Sequence, residues 1–416
     1  MSTAAIKAHA DTVRGPEDSR NPFDAFLYVL GAPNNQDGPA SVDAYGRQKY
    51  GGKLVRIGRT MTGGINNSDL AGLQANALAS DGHYVFAVNT GNNTISSLRI
   101  NRGGDLTLTQ NLSSGGLRPV SIAIHENHLY VANAGQTPVE DPGISTVVAF
   151  GIRPDGSLAR LPCAPAQGTP GELFNVVGDL AINPSGTTLM LAGLGSNQID
   201  GFSIDRAGCL TKRKNVGGGG GAFSVTFRPG TNDAVITRAL PELFGDEQAP
   251  GVGSFKVGEN GTFREVSTYI APNQSDSELR DPCWLAFAKD NVHFWTSSFI
   301  PRSLNAFSLD PHTGALRRLS EYNPLDFAPG AVDPDTGGPV FIGSLDITTD
   351  TTKTHLYQLR EFTNPDVLVP GSIHTFEFTG NWSKDAGLRE VQVTPLPDDL
   401  RAPTVTSLIF VDRIDR

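Results

Sequence analysis

The sequence predicts an all-β fold in which seven similar four-stranded units form a closed ring. The first observation is a unit that recurs seven times, in which an aliphatic residue is followed three places later by an aromatic residue or leucine. The units begin at Val42, Ile95, Val147, Ile199, Val252, Leu304 and Ile373, which lie 53, 52, 52, 53, 52 and 69 residues apart. The second observation is a Gly-x-Leu or Gly-x-Phe marker that keeps nearly the same step, from Gly52–Leu54 to Gly314–Leu316. Two markers that share one period of this length indicate a radial or solenoidal array.

The strands of one unit are the third observation, because they are short and are joined by tight turns. In the unit that covers residues 119–161, the predicted strands are Val120–Ile124, Leu129–Asn133, Ile144–Ile152 and Ser157–Leu161. Polar turns join them, and only the loop at residues 135–143 is long. Four antiparallel strands joined in this way are the blade of a β-propeller.

The two ends of the chain predict how the ring closes. The N-terminal unit lacks a first strand and starts with a second strand at Phe26–Leu30, whereas Thr404–Val411 is a lone strand with nothing after it. If that strand is innermost in the N-terminal blade, the ring closes and no sheet edge stays open. We therefore predict a flexible tail over residues 1–22 and a single propeller domain over residues 23–416.

The composition excludes several classes of partner. The net charge is −10 and Lys and Arg form no long run, so a nucleic-acid partner is not predicted. No stretch approaches the roughly 18 apolar residues of a membrane span, and the polar N-terminus lacks the apolar core of a secretory signal. The odd count of three cysteines argues against a disulfide framework. These features predict a cytoplasmic protein in a reducing compartment.

The long loops predict where a functional site lies. In an antiparallel blade, the loop before the first strand and the loop between the second and third strands open on the same face of the ring. Nearly all long insertions fall on that face, for example 134–143, 239–251 and 320–343, and tight turns occupy the other. Because long loops on a rigid scaffold usually carry function, we expect the site in the channel mouth on the long-loop face.

Three segments carry a family resemblance. They are Tyr84-Val85-Phe86-Ala87-Val88-Asn89, Leu129-Tyr130-Val131-Ala132-Asn133, and Val148-Ala149-Phe150 followed after three residues by Pro154-Asp155-Gly156-Ser157-Leu158. The chain, from roughly Phe26 to Val411, resembles the lactonase-type seven-bladed propellers, which include 6-phosphogluconolactonase and the fungal 3-carboxymuconate lactonising enzyme. The resemblance implies lactone hydrolysis, cycloisomerisation or related proton-transfer chemistry on a small carboxylated or ring-bearing metabolite.

The resemblance is weaker in the catalytic pattern. The family's activity is assigned to a His at the start of one inner strand, a Glu at the end of a second strand in the following blade, and arginines that hold an anionic group. Here Asp179 stands about where the His is expected, and Arg238 stands where the Glu is expected, with Glu242 shortly after it. Arg302 lies about three residues from the position of the sixth-blade arginine. The scaffold is therefore matched, whereas the family's catalytic His and Glu are not.

Carboxylates are the predicted proton-transfer groups. Six of the eight histidines fall on the tight-turn face, and His374 lies on a third strand, away from the axis. Asp179 and Glu242 are therefore the predicted catalytic pair, with Glu361 next, because an apolar channel wall raises a carboxyl pKa. The alternative is that Asp179 accepts hydrogen bonds from nearby backbone amides and Glu242 lies in solvent.

Arginines are the predicted ligands of an anionic substrate. Arg238 and Arg302, with Arg118 and Arg360 behind them, would hold it through bidentate hydrogen bonds. The structural alternative is that each arginine forms an ion pair with a local carboxylate. Trp284, near the start of an inner strand, is predicted to stack on a ring substrate, with core packing as the alternative.

Asn89 and Asn133 complete the predicted substrate-binding set. They end equivalent second strands of adjacent blades, and with Asp179 they form an oxygen-rich group suited to a divalent cation. Asn is also a turn former that the repeat needs at this position, and we predict no cofactor.

The predicted function is a lactonase-like enzyme, and the alternative is a non-catalytic propeller that binds a metabolite or a protein. The sequence does not determine the oligomeric state.

Overall fold

The structure of the protein is a computed structural model. It describes residues 21–31, 38–49, 52–66, 74–135, 144–170, 177–217, 221–239, 250–270, 281–298, 303–322, 327–332, 339–350, 352, 354–362, 371–400 and 405–413. Most of the predicted tail and large parts of the predicted long loops lie outside these residues.

The described strands form seven antiparallel sheets, which are the predicted blades. Blade 1 contains β1 (Phe23–Gly31), β2 (Pro39–Gln48) and β3 (Leu54–Ile65), and blade 2 contains β4 (Leu78–Ser80), β5 (Tyr84–Asn89), β6 (Thr94–Ile100) and β7 (Leu106–Ser113). Blade 3 contains β8 (Pro119–His125), β9 (His128–Asn133), β10 (Thr146–Ile152) and β11 (Leu158–Arg160), with β12 (Ala166–Gln167) paired to β10. Blade 4 contains β13 (Asp179–Ile182), β14 (Thr188–Gly193), β15 (Gln198–Ile204) and β16 (Leu210–Gly217).

The remaining blades follow the same order from the axis outward. Blade 5 contains β17 (Ala222–Phe227), β18 (Asp233–Arg238), β19 (Gly251–Val257) and β20 (Phe263–Ile270), and blade 6 contains β21 (Pro282–Phe287), β22 (His293–Ser298), β23 (Leu304–Leu309) and β24 (Leu316–Tyr322). Blade 7 contains β26 (Pro339–Thr349), β27 (His355–Phe362), β28 (Ser372–Phe378) and β29 (Leu388–Pro395), with β25 (Phe327–Val332) paired to β26. Short 3-10 turns lie at Thr90–Asn92 and Asp385–Gly387. Among the residues that the structure describes, no helix has the length and apolar character needed to cross a membrane.

The C-terminal strand closes the ring as predicted. Strand β30 (Val405–Asp412) pairs antiparallel with β1, from Ala25 opposite Asp412 to Gly31 opposite Val405. It is therefore the innermost strand of blade 1 and supplies the strand that the N-terminal unit lacks. Closure by this pairing satisfies the backbone groups of an inner edge that would otherwise stay open.

Packing between blades explains the glycine marker. Gly104 has a φ of 88° and Gly156 a φ of 77°, in the left-handed region that favours glycine. A Cβ atom at Gly104 would lie 2.2 Å from the Phe26 ring, and one at Gly156 would lie 2.1 Å from the Tyr84 ring. These two marker glycines thus let the turn before a fourth strand contact an aromatic ring of the preceding blade. The Tyr28 hydroxyl also donates a hydrogen bond to the Gly104 carbonyl at 3.0 Å.

The prediction about the cysteines was wrong. Cys163 and Cys209 form a disulfide with a Cα–Cα distance of 5.5 Å, and Cys283 is free and buried. Cys163 follows the fourth strand of blade 3, and Cys209 lies in the last hairpin turn of blade 4. A sequence separation of 46 residues conceals this contact, because only the packing of the two blades brings the residues together.

Candidate functional site

Asp179 lies at the start of the inner strand of blade 4 and is fully buried. Its two carboxylate oxygens accept hydrogen bonds from side chains and backbone groups of its own blade and of three others. The donors are Asn76 Nδ2 at 3.0 Å from each oxygen, Ser121 Oγ at 2.9 Å, Ser224 Oγ at 3.0 Å, and the N–H groups of Leu180 at 2.8 Å and Val225 at 3.0 Å. Burial raises the pKa of the Asp179 carboxyl, although these donors oppose the shift. Asp179 therefore joins the inner parts of blades 2, 3, 4 and 5 at one carboxylate.

Asp346 is a second buried carboxyl on an inner strand, that of blade 7. It accepts hydrogen bonds from Ser407 Oγ at 2.7 Å and from the Leu408 N–H at 3.1 Å, both on the closing strand β30. Burial, and to a smaller extent the negative charge of Asp179, raise the pKa of Asp346 to about 7, against the hydrogen bonds that it accepts. A carboxyl with this pKa exchanges its proton near neutral pH, as general acid–base catalysis requires.

A contact across the ring lies close to these carboxylates. The Trp284 indole N–H donates to the Gln74 carbonyl at 3.0 Å, and the Ala75 N–H donates to the Gly178 carbonyl at 3.2 Å. Trp284 belongs to blade 6, whereas Gln74 precedes blade 2, so this contact spans the central opening. Trp284 also packs edge-to-face on Phe223 of blade 5, with ring centroids 5.3 Å apart. The predicted stacking residue is therefore buried in a hydrophobic core cluster, which is the alternative that the sequence allowed.

Beyond the two carboxylates, the inner strands stay partly accessible. Further along these strands, toward the tight-turn face, four residues are partly exposed, namely Ala123, Ala181, Thr226 and Ile409. Asn76, which donates to Asp179, is itself exposed.

Arg238 does not approach Asp179 in the way that an anion clamp would require. It ends β18 and is buried, and its Nη2 lies 2.6 Å from Oε1 of Glu265 on the outermost strand of blade 5. Its Nη1 lies 3.4 Å from the Thr268 hydroxyl. This is the local ion pair that the sequence allowed as the structural alternative.

The other predicted arginines lie at separate places. Arg360 is buried on β27, where its Nε donates to Gln358 Oε1 at 2.9 Å and its guanidinium carbon lies 5.9 Å from the centroid of the Phe376 ring. Arg118 precedes blade 3 with a φ of 58°, and its backbone N–H donates to Asn93 Oδ1 at 2.7 Å. Glu242 and Arg302, and the side chain of Glu361, lie outside the described residues.

Asn89 and Asn133 have equivalent positions in the packing. Asn89 Oδ1 accepts a hydrogen bond from the Thr62 hydroxyl at 2.6 Å, and its Nδ2 donates to Ser96 Oγ at 2.8 Å. A Cβ atom at Gly64 would lie 2.2 Å from the Asn89 side chain, and one at Gly116 would lie 2.6 Å from that of Asn133. Both asparagines thus pack closely against a glycine, a structural role that the repeat explains.

Asp346 is the residue that sequence reasoning missed. It follows Leu345, which marks the first strand of the last blade, so it holds the same kind of inner-strand position as Asp179 does in blade 4. That equivalence could have identified Asp346 from the sequence. The raised pKa was not readable from the sequence, because it depends on burial and on a charge in a distant blade.

Comparisons with known proteins agree with this fold. Residues 27–140 match the model of the family described as "Lactonase, 7-bladed beta-propeller". The chain is a seven-bladed β-propeller, and its N-terminal part is similar to that family. No curated protein matches it. Solved structures similar to this propeller support the fold over nearly the whole length of the chain.

Three such structures come from bacteria. The periplasmic gluconolactonase PpgL of Pseudomonas aeruginosa has a TM-score of 0.65 at 16% identity, covering 94% of this chain and 99% of that one. A candidate 6-phosphogluconolactonase from Bacteroides fragilis has a TM-score of 0.64 at 15% identity, covering 96% and 100%. Another from Bacteroides uniformis has a TM-score of 0.66 at 16% identity, covering 93% and 100%. At these identities the likeness shows the fold alone.

Proposed function

We propose that this seven-bladed propeller is a hydrolase of the lactonase type that opens a small lactone in its central channel. The observation that carries the proposal is the buried carboxyl of Asp346, whose pKa is raised to about 7 on an inner strand. In its ionised form Asp346 would take a proton from a water molecule, whose oxygen attacks the lactone carbonyl carbon. The ring C–O bond then breaks, and the departing alkoxide receives the proton, so that the product is the open hydroxy acid.

Asp179 supports this role from the opposite part of the ring. Its negative charge helps to keep the pKa of Asp346 high, which makes the Asp346 carboxylate a stronger base. The Asp179 carboxylate also holds the Ser121 and Ser224 hydroxyls, which donate hydrogen bonds to it from the two neighbouring blades. We therefore propose Asp346 as the proton acceptor and Asp179 as the group that tunes it. The catalytic role of Glu242 stays a prediction.

The substrate class rests on the fold relatives and on the expected anion. Solved structures with this fold include a gluconolactonase, so lactones of sugar acids are the first compounds to test. Carboxylated lactones come second, and a cycloisomerisation of such a compound is the related reaction. Anion binding by Arg118, Arg302 and Arg360, and substrate contact by Trp284, stay predictions.

The cytoplasmic location also stays a prediction, and one observation opposes it. The Cys163–Cys209 disulfide is of a kind that persists mainly in oxidising compartments.

Replacing Asp346 with asparagine is expected to lower kcat for lactone opening by about 10²- to 10⁴-fold, the usual contribution of a general base. For the native protein, kcat should rise with pH and level off above about 7, because the base is ionised above its raised pKa. The asparagine variant should lose this inflection. The measurement is a pH-stat assay of gluconolactone opening, corrected for the spontaneous reaction.

The matched control for this experiment is Asp200→Asn. Asp200 is also buried but lies on the third strand of blade 4, where it accepts hydrogen bonds from Thr169 and pairs with Lys212. The Asp200→Asn variant should keep the lactone-opening activity and its pH profile. An unchanged pH profile in Asp346→Asn would reject Asp346 as the base.

The alternative function, a non-catalytic binding propeller, is favoured by a different set of observations. The Asp179 oxygens already accept several hydrogen bonds each, and the charge of Arg238 is paired with Glu265. A surface cleft of about 520 Å³ on the tight-turn face, lined in part by Asp81, Glu126 and Arg153, offers a binding place outside the channel. A metabolite that raises the melting temperature without being turned over, and whose effect is lost in Arg153→Ala but not in Asp346→Asn, would support this alternative.

A further inference from the structure

Three polar side chains of blade 7 form a linear hydrogen-bonded relay. Ser372 and His374 lie two residues apart on β28, so their side chains share one face of the sheet. Ser372 Oγ is 2.9 Å from His374 Nε2, and His374 Nδ1 is 3.0 Å from Oε2 of Glu390 on the adjacent strand β29. Both ring nitrogens of the imidazole are therefore engaged, one by a hydroxyl and the other by a carboxylate.

The surroundings suit a carboxylate that orients a histidine. His374 is buried, and Ser372 and Glu390 are half-buried. Burial would raise the pKa of Glu390, but the hydrogen bond and charge of His374, the charge of Arg360 and a hydrogen bond from Tyr322 outweigh it and hold that pKa below its ordinary value. Glu390 is therefore ionised at neutral pH. It favours the tautomer in which Nδ1 of His374 carries the proton, which leaves Nε2 to accept the proton of Ser372.

The relay lies between two blades and apart from the channel carboxylates. Tyr322, on the outermost strand of blade 6, packs edge-to-face on Phe376 with ring centroids 5.1 Å apart. Arg360 is directly opposite Ser372 in the pairing of β27 with β28, so its side chain starts on the same face as the serine. A positive charge near the serine would stabilise negative charge that develops on an attacked carbonyl oxygen.

We propose that Ser372, His374 and Glu390 form a second, nucleophilic hydrolase centre that acts on small carboxylic esters. A nucleophile that contacts a base, which contacts an orienting carboxylate, is the arrangement that defines such centres, whatever the fold. No local sequence motif marks this one, because the three residues are brought together by strand pairing. The centre is independent of the lactone-opening reaction proposed for the channel.

The reaction has two balanced steps. In the first, Ser372 Oγ attacks the ester carbonyl carbon while its proton passes to Nε2 of His374. The ester C–O bond then breaks, and the leaving alkoxide takes that proton and departs as the alcohol. In the second step a water molecule gives a proton to His374 and attacks the acyl-serine, and the acid leaves as Ser372 regains its proton. Glu390 holds the imidazolium through both steps and does not itself become protonated.

Covalent labelling tests the proposal, because a serine with a purely structural role would not react. The native protein is treated with a fluorophosphonate probe, and the modified peptide is identified by mass spectrometry. We expect labelling at Ser372 and slow turnover of p-nitrophenyl acetate. Ser372→Ala should abolish the labelling, and both Ser372→Ala and His374→Ala should lower the turnover by at least about 10²-fold. Glu390→Gln, which keeps the shape but removes the charge, should slow the labelling.

Two control variants test whether the reactivity belongs to Ser372. Ser203→Ala removes a half-buried serine on the third strand of blade 4, one that accepts a hydrogen bond from Arg213, and it should leave labelling and turnover unchanged. Asp346→Asn should also keep the Ser372 labelling. Failure of the labelling experiment would therefore leave the channel proposal intact, and failure of the channel proposal would leave the proposal for Ser372 intact. The proposal is overturned if the folded native protein is not labelled, or if labelling and turnover persist in Ser372→Ala.

Discussion

Replacing Asp179 with alanine is expected to lower the free energy of unfolding by about 5 kcal/mol, since several buried donors lose their acceptor at once and each such group costs about 1–3 kcal/mol. The donors belong to four blades, and those of Ser121, Ser224 and Val225 are buried. The loss should therefore weaken the inner ring as a whole. Urea unfolding followed by circular dichroism measures this decrease in the free energy of unfolding.

The pH dependence of this loss has a definite sign. Burial raises the pKa of Asp179 in the folded protein, so its contribution to stability is greatest at acidic pH and falls as pH rises above the ordinary carboxyl range. The difference in stability between the native protein and Asp179→Ala should thus shrink as pH rises. An alanine variant within about 1 kcal/mol of the native protein at every pH would contradict the assigned role, since that change is typical of any substitution.

Asp179→Asn serves as the matched variant. It keeps one oxygen acceptor but turns an N–H₂ group toward donors such as the Val225 N–H. We expect an intermediate loss, about half that of the alanine variant, because only one of the two oxygens is replaced. A loss in the alanine variant with none in the asparagine variant would indicate that volume, rather than hydrogen bonding, is what Asp179 supplies.

Removal of the disulfide should lower the free energy of unfolding by about 4 kcal/mol. Cys163 and Cys209 are 46 residues apart, and a cross-link that closes a loop of this length restricts the unfolded chain by about that amount. The test compares the native protein with Cys163→Ser/Cys209→Ser in urea. The native protein with a reductant should match the double variant.

The double variant provides its own control. A reductant should not change its stability further, because the remaining cysteine, Cys283, is not in a disulfide. If the reductant left the native protein unchanged while free thiols rose from one to three, the disulfide would not be a stabilising link between blades 3 and 4. If the denatured protein had three free thiols before any reductant was added, the assigned pairing would be wrong.

The repeat alone was sufficient to predict the ring. The strands predicted at Phe26–Leu30 and Thr404–Val411 correspond to β1 and β30, which pair along their length as ring closure requires. The reason is that blade strands are short, local and periodic, so their pattern survives in the linear sequence. The glycine marker is equally local, since a positive φ at Gly104 is a property of one turn.

The functional residues were harder to predict because their chemistry depends on partners in other parts of the ring. Asp179 was identified by its place at the start of an inner strand, but its donors Asn76, Ser121 and Ser224 lie 103, 58 and 45 residues away. Arg238 was expected to face a substrate, whereas pairing with Glu265 two strands further out neutralises it. His374 was set aside because it lies away from the axis, and strand pairing then placed it between Ser372 and Glu390.

The sequence by itself determined the all-β class, the seven blades, the order of strands and the strand that closes the ring, because each depends on a periodicity of the chain. Only the tertiary structure decided the Cys163–Cys209 bond, the raised pKa of Asp346 and the Ser372–His374–Glu390 relay. Burial, the field of distant charges and the register between neighbouring strands produce these features. They are properties of the packed ring that no single blade contains.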